Sequence, residues 1–212
     1  MASPAYHHGN LREALVDAAV DAARERGADG LALRDLARRV GVSHNAAYRH
    51  FANRDDLVAE VAGRVMDRLV ETMQRRWADV DTDDPVLRAR RRLAAVGRSY
   101  VEFAVGEPGL FSLAFSSVAV STDLEGAGPY LLLGQALDEL VEVGFLSAQA
   151  RPGAEITCWS AMHGFSVLAV DGAVRGASDA EREAALETVL TAIDRSYGAT
   201  TGTETRAGDL LP

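Results

Sequence analysis

Residues 33–51 read Leu33-Arg34-Asp35-Leu36-Ala37-Arg38-Arg39-Val40-Gly41-Val42-Ser43-His44-Asn45-Ala46-Ala47-Tyr48-Arg49-His50-Phe51, and this stretch decides the fold. Leu33, Leu36, Ala37 and Val40 recur at the spacing of one helical face. Ala37 is small enough to let a second helix cross closely. Gly41 supplies the positive φ that a sharp turn requires, Val42 plugs the angle of the turn, and Ser43 is placed to accept from the free N–H groups opening the next helix. Ala47 and Phe51 point back toward the same core. The outward positions are His44, Asn45 and Ala46, followed by Tyr48, Arg49 and His50. This is the pattern of a helix-turn-helix.

Residues at the start of the second helix of such a pair enter a major groove when the unit meets DNA. Asn45 can read adenine with two hydrogen bonds, His44 can donate or accept at a base edge, and Ala46 can touch a thymine methyl. The phenol, guanidinium and imidazole of Tyr48, Arg49 and His50 suit phosphate oxygens. Arg54, opening the next helix, adds a cation where the helix dipole also favours an anion. The alternative is a plain pair of packed helices with a solvated polar face. Tyr48 weighs against it, because a core tyrosine has no need of Arg49, His50 and Arg54 around it.

Outward from this motif, nearly everything reads as helix. Asn10 and Glu13 make a capping box for a first helix, which carries Leu11, Leu15, Ala18, Ala19 and Ala22 and stops near Gly27 and Gly30. Asn53 caps a long fourth helix with Asp55 and Asp56 in its first turn. Its apolar residues Leu57, Val61, Val65, Leu69, Met73 and Trp77 recur every fourth residue, one continuous stripe. Asp84-Pro85 opens a fifth helix, and a short apolar one follows at about 109–115. Residues 116–128 form a loop. Helices at about 129–144, 153–175 and 179–197 complete the chain, the last opened by a Ser178 to Glu181 capping box. The expectation is an all-α protein of about nine helices: a DNA-binding domain at 1–54, a helical body at 55–197 and a disordered polar tail at 198–212.

The segment Gly41-Val42-Ser43, then Tyr48, His50 and Phe51, then Asn53-Arg54-Asp55-Asp56-Leu57, resembles the TetR family of regulators, with the match strong across residues 10–60. The resemblance implies phosphate contacts from Tyr48, His50 and Arg54, and base readout from Arg34, His44, Asn45, Ala46 and Arg49, with Ser43 among the DNA-binding residues. Ala32 stands where Thr or Ser often begins the helix, which removes one cap. Position 54 is Arg rather than the usual Lys, which keeps the charge. The resemblance further implies that the body binds a small-molecule effector and forms a homodimer, and that repression at operator DNA is the expected outcome.

In the body, Trp159-Ser160-Ala161-Met162-His163-Gly164-Phe165 looks like the Trp-x-x-x-His-Gly signature of one subgroup of these C-terminal domains. Trp159, Met162, His163 and Ser166 share one helix face, and Cys158, Phe165, Leu168 and Gly172 lie toward another, so this helix is expected to be buried between neighbours. His163 is either a polar anchor in an apolar pocket or a structural histidine. Tyr100, Phe103, Phe111, Phe115 and Trp159, with Met162, His163 and Ser166, are the candidate pocket residues, and Leu113 belongs with them. In the family, two final helices from each chain form a four-helix bundle. Ala184, Ala185, Leu186, Val189, Leu190, Ala192 and Ile193 offer the apolar surface for it here, with Gly164, Gly172 and Ala173 allowing close approach. Such a dimer presents two recognition helices about one DNA turn apart, roughly 34–36 Å.

Composition sets the remaining bounds. Of 212 residues 48% are hydrophobic, enough for a sizeable core, and the net charge is −9. The charge is uneven. Residues 1–54 hold eight Arg against six Asp or Glu (+2), and the remainder holds 14 Arg against 25 acids (−11), which suits a small DNA-touching module on an acidic body. One cysteine, Cys158, allows no intrachain disulfide and no thiolate zinc site. No apolar run approaches the ~20 residues of a membrane span and no secretory leader opens the chain, so a cytoplasmic protein without membrane contact is expected. The five His and many carboxylates show no metal-ligand spacing, phosphate loop or nucleophile elbow, so no cofactor, metal or catalytic residue is expected. His7-His8 reads as a mobile arm facing DNA or solvent.

Overall fold

Helix follows helix along the chain. A computed structural model describes residues 11–115, 128–203 and 208–210, with backbone alone at 28 and 29, and among these residues there are nine α-helices and no β-strand. They are α1 (Leu11–Arg26), α2 (Leu33–Val40), α3 (His44–Tyr48), α4 (Arg54–Ala78), α5 (Pro85–Gly106), α6 (Pro108–Ala114), α7 (Gly128–Glu142), α8 (Ala154–Val170) and α9 (Asp179–Ala199). The all-α expectation holds. Asn10, the His7-His8 arm and the loop at 116–127 lie outside the described residues. No described helix is long and apolar enough to cross a membrane.

The chain forms two compact units. The first takes its described residues from 11–66 and 107–115. Leu15, Val16, Ala19 and Val20 of α1, Leu33, Leu36 and Ala37 of α2, Ala47 of α3, Phe51, and Leu57, Val61 and Val65 of α4 are all buried. Among its described residues, no polar or charged side chain is buried in this core. Ion pairs join the helices outside that core: Arg39 to Glu25 and Arg12 to Glu60, both at 2.9 Å, and Arg64 to Glu13 and Asp17. Arg12 also lies 4.7 Å over the Phe51 ring. Helix α6, which the sequence reading placed in the body, packs here. A side chain at Gly109 would come within 2.2 Å of the Ala23 carbonyl, so only glycine lets α6 approach α1 this closely. Arg24 on α1 holds Glu107 at 3.0 Å. The boundary expected at 54–55 therefore marks the start of a helix that gives residues to both units.

The second unit takes its described residues from 67–106, 128–203 and 208–210. Leu133, Leu137 and Leu140 of α7, Phe145, Leu146, Ala154 and Cys158 of α8, and Tyr197 of α9 form one cluster with Ala89 of α5. Leu69 and Met73 continue the buried stripe of α4, whereas Trp77 is half-buried beneath Arg92 at 5.3 Å. The Ser178 capping box forms with Glu181.

Three expectations are corrected. Helix α8 stops at Val170 rather than 175, because the chain turns at Asp171 and Gly172. It is not apolar-buried all round: Ile156, Val167 and Leu168 are exposed. The disordered tail expected from Gly198 is not found at the described positions. Gly198 is buried within α9, and a side chain there would meet the Thr203 carbonyl at 2.6 Å, while Leu210 is buried and Asp209 bonds Arg90. Leu210 and the Asp209 carboxylate thus hold the described residues 208–210 against the second unit.

Candidate functional site

The helix-turn-helix is built by local backbone chemistry. Gly41 adopts φ 78°, the left-handed conformation that ends α2. The Val42 N–H then donates to the Ala37 carbonyl at 2.9 Å and the Gly41 N–H to Arg38 at 3.2 Å, satisfying carbonyls the helix end leaves open. Ser43 Oγ accepts from the Ala46 N–H at 3.2 Å and starts α3. Asn53 Oδ1 accepts from the Asp56 N–H at 2.9 Å and starts α4. As the sequence implies, Ala32 gives α2 no side-chain cap.

These caps fix which way α3 faces. Ala47 and Phe51 are buried, and Arg34, Ser43, His44, Asn45, Tyr48, Arg49, His50 and Arg54 are all exposed. Ala46 is half-buried, the least available of the nine predicted residues. Tyr48 is 44% exposed, unusual for so large a ring, and His44 packs beside it with centroids 4.4 Å apart. The exposed set carries guanidinium, imidazole, amide and phenol groups and no carboxylate of its own. Asp35 beside it pairs with Arg38 at 2.9 Å, and Asp55 lies 3.8 Å from Arg54.

In the second unit, residues of α4, α5, α7, α8 and α9 line a partly open apolar cavity of about 40 Å³. Tyr100, Trp159 and Met162 line it, together with Leu93, Gly97 and Leu190. A side chain at Gly97 would meet Met162 Sδ at 3.0 Å and Leu190 at 3.1 Å, so this glycine lets α8 and α9 pack closely on α5 at the cavity wall. His163 stands behind the wall: its Nδ1 lies 2.8 Å from the Tyr100 hydroxyl, and its ring stacks on Trp159 at 14°. Burial raises the Tyr100 hydroxyl above its ordinary pKa and lowers that of His163, so both groups are neutral near pH 7. The Tyr130 ring packs on Trp159 from α7 at 5.8 Å.

Not all the pocket candidates come together. Phe103 is half-buried and off the cavity wall. Phe111 and Phe115 belong to the first unit, their rings 5.0 Å apart. Ser166 is fully buried, and its Oγ finds no hydrogen-bond partner among the described residues. Sequence reasoning missed a buried ion pair on the cavity wall: Arg90 of α5 grips Asp194 of α9 through Nε (2.9 Å) and Nη2 (2.7 Å). The signal was an arginine among the apolar positions of α5 and an aspartate between Leu190 and Tyr197 on α9. Cys158 also lines the cavity. Its thiol lies 3.2 Å from the Tyr197 hydroxyl, and burial pushes its pKa up to about 11, so it stays protonated.

Comparison with known proteins bears on this arrangement. Residues 15–61 match the description "Bacterial regulatory proteins, tetR family", and residues 93–193 match "Tetracyclin repressor-like, C-terminal domain". The chain belongs to the TetR family. It is 26% identical over 160 residues to the HTH-type transcriptional regulator YobS of Bacillus subtilis (strain 168), covering 76% of this chain and 79% of that one. A structure of a protein with unknown function from Rhodococcus sp. RHA1 superposes with a TM-score of 0.71 at 28% identity, covering 94% and 99% of the two chains. The transcriptional regulator FadR from Bacillus subtilis, solved in complex with stearoyl-CoA, has a TM-score of 0.66 at 19% identity, covering 85% and 98%. As a TetR-family member the chain is a DNA-binding transcriptional regulator, and its helix-turn-helix lies within the matched residues 15–61.

Proposed function

We propose that the chain is an effector-responsive repressor that binds a near-palindromic operator as a homodimer. One observation carries the DNA reading: Ser43, His44, Asn45, Tyr48, Arg49, His50 and Arg54 are exposed together around a helix whose other side, Ala47 and Phe51, is locked in the core. Asn45 and His44 then read bases. Tyr48, His50 and Arg54 hold phosphates, and Arg34 and Arg49 flank them. A regulator of this kind works in the cytoplasm, beside its DNA.

The dimer reading rests on the outer face of α8. Ile156, Ser160, Gly164, Val167 and Leu168 are all exposed and share that face, with Ala184, Thr188 and Ala192 exposed along α9. Large side chains at the ends and small ones at the centre suit close helix approach. Leu186 and Leu190 of α9, expected in the interface, are buried inside their own unit instead. Trp159, His163 and Gly164 support membership of the Trp-x-x-x-His-Gly subgroup, with Trp159 and His163 clamping Tyr100 and Gly164 on the open face. That FadR, a chain of the same fold, is solved in complex with stearoyl-CoA supports the effector-binding reading. Helix α4, shared by both units, is the element an effector would move.

Fluorescence anisotropy on a random-sequence duplex at two salt concentrations tests the DNA reading. Binding is expected to fall steeply with salt and to be lost in a Tyr48→Ala, Arg54→Ala double variant that keeps its melting temperature. Salt-independent binding, or binding unchanged in the double variant, refutes it.

A further inference from the structure

The apolar cavity of about 40 Å³ and an open cleft of about 380 Å³ share a single lining residue among those described, Leu210. Its neighbour Asp209 is anchored at the same partition. The Asp209 carboxylate accepts from Arg90 Nη2 at 2.9 Å, and its backbone carbonyl accepts from Arg91 Nε at 3.1 Å. Arg90 lines the inner cavity and Arg91 the outer cleft. The chain thus places a carboxylate on Arg90, a main-chain carbonyl on Arg91 and a branched apolar side chain against both an apolar and a polar space.

Charge balance says what can replace it. With Asp209 seated, Arg90 and Arg91 face two carboxylates, Asp194 and Asp209. The Arg90 and Asp194 side chains are each 7% exposed, so their charges are poorly solvated. If Asp209 leaves, one positive charge remains uncompensated at the rim of a low-dielectric space, which is costly. The other charges on the cleft are spoken for or screened. Arg76 pairs with Glu102, Arg98 with Glu183 and Glu187, and Asp79 and Asp81 are exposed to water. A neutral apolar molecule would fill the opening and leave the positive charge unmet.

We propose that Asp209-Leu210 is a tethered stand-in for the effector, and that this site takes an amphipathic carboxylate. Its head replaces the Asp209 carboxylate on Arg90 and the Asp209 carbonyl on Arg91, and its apolar chain runs past the position of Leu210 into the cavity beside Gly97, Tyr100 and Met162. The inference rests on the reading of the second unit as effector-binding. A tethered competitor lowers apparent affinity by the fraction of time it stays seated. The segment therefore sets the effector concentration at which the regulator responds.

Titration calorimetry with decanoate and with decanol, without DNA, tests this on the full chain and on an Asp209→Asn, Leu210→Gly variant. The variant is expected to bind decanoate about tenfold or more tightly than the parent, corresponding to a segment seated about nine-tenths of the time. Decanol is expected to bind both at least about tenfold more weakly than decanoate, and Arg91→Gln to weaken decanoate binding. Equal decanoate affinity for parent and variant overturns the stand-in. Decanol binding as tightly as decanoate, or no decanoate binding by a cooperatively melting variant, overturns the ligand class. Asp209→Asn alone, which is isosteric, repeats the comparison should the double variant fail to fold. Since no DNA is present, failure here leaves the DNA reading standing, and failure of duplex binding leaves this result intact.

Discussion

The two units handle polar chemistry in opposite ways. In the first, Leu15, Leu36, Ala47, Phe51 and Leu57 make an interior that is apolar among the described residues, with the ion pairs and candidate DNA contacts found there lying outside it. In the second, Arg90, Ser99, Ser166 and Asp194 are buried, Tyr100 meets His163 beside the cavity, and Cys158 meets Tyr197. A head with nothing polar inside has one stable packing and displays its chemistry to a large partner from a fixed scaffold. A body with charges in a low-dielectric interior has packing that depends on whether those charges are balanced, which suits a part that answers to a small molecule. The same division predicts where a substitution is felt as stability and where as specificity.

The largest test of the contrast is Asp194→Ala. Removing one partner of a buried bidentate pair is expected to cost about 3–5 kcal/mol in denaturant unfolding. Replacing both partners, Arg90→Met with Asp194→Leu, should recover much of that loss. A single variant as stable as the parent would break the contrast. Next is Asn45→Ala in the head, expected to leave stability unchanged and relax operator specificity at one position by about 1–3 kcal/mol. Arg54→Ala should instead weaken all sequences alike and lower the salt slope by about one. Equal loss on operator and random DNA for Asn45→Ala would remove its base-reading role.

A smaller effect is expected at Ser166. Its unpartnered hydroxyl adds nothing where it is buried, so Ser166→Ala should be neutral or stabilising by up to about 1 kcal/mol in thermal melts. A clear loss of stability would mean the hydroxyl is used. The smallest is a slope with pH. Burial holds His163 below its ordinary value near 6.5, so the unfolded chain binds the proton first. The neutral ring's contribution is complete above about pH 6.5 and declines as pH falls below it. Melting temperatures of the parent and His163→Gln should therefore converge on acidification from pH 7.5 to 5. Parallel curves would show that His163 does not titrate on unfolding.

The head was legible in the sequence because its structure is decided by neighbours in the chain. Gly41, Ser43 and Asn53 each bond a group within four residues, so turn and caps can be read locally. The body was legible only in outline. Its helices follow from apolar spacing, but Arg90 meets Asp194 across 104 residues and Asp209 across 119, and no local pattern announces either. Phe111 and Phe115 were grouped with Tyr100 because all are aromatic. Their place in the first unit follows from Gly109 against Ala23, a contact the sequence does not signal. The tail is hard to read for the same reason: Leu210 in a largely polar run counts for little by composition and for much where it lines both hollows.

The central claim, that α3 presents a reading surface used twice in a dimer, is tested most directly by selecting bound sequences from a random duplex library. The account predicts an enriched near-palindrome whose half-sites lie about one helical turn apart, with the preference at one symmetric position relaxed by Asn45→Ala. No enrichment by folded dimer, or an enriched site indifferent to substitutions at residues 44–46, would contradict it.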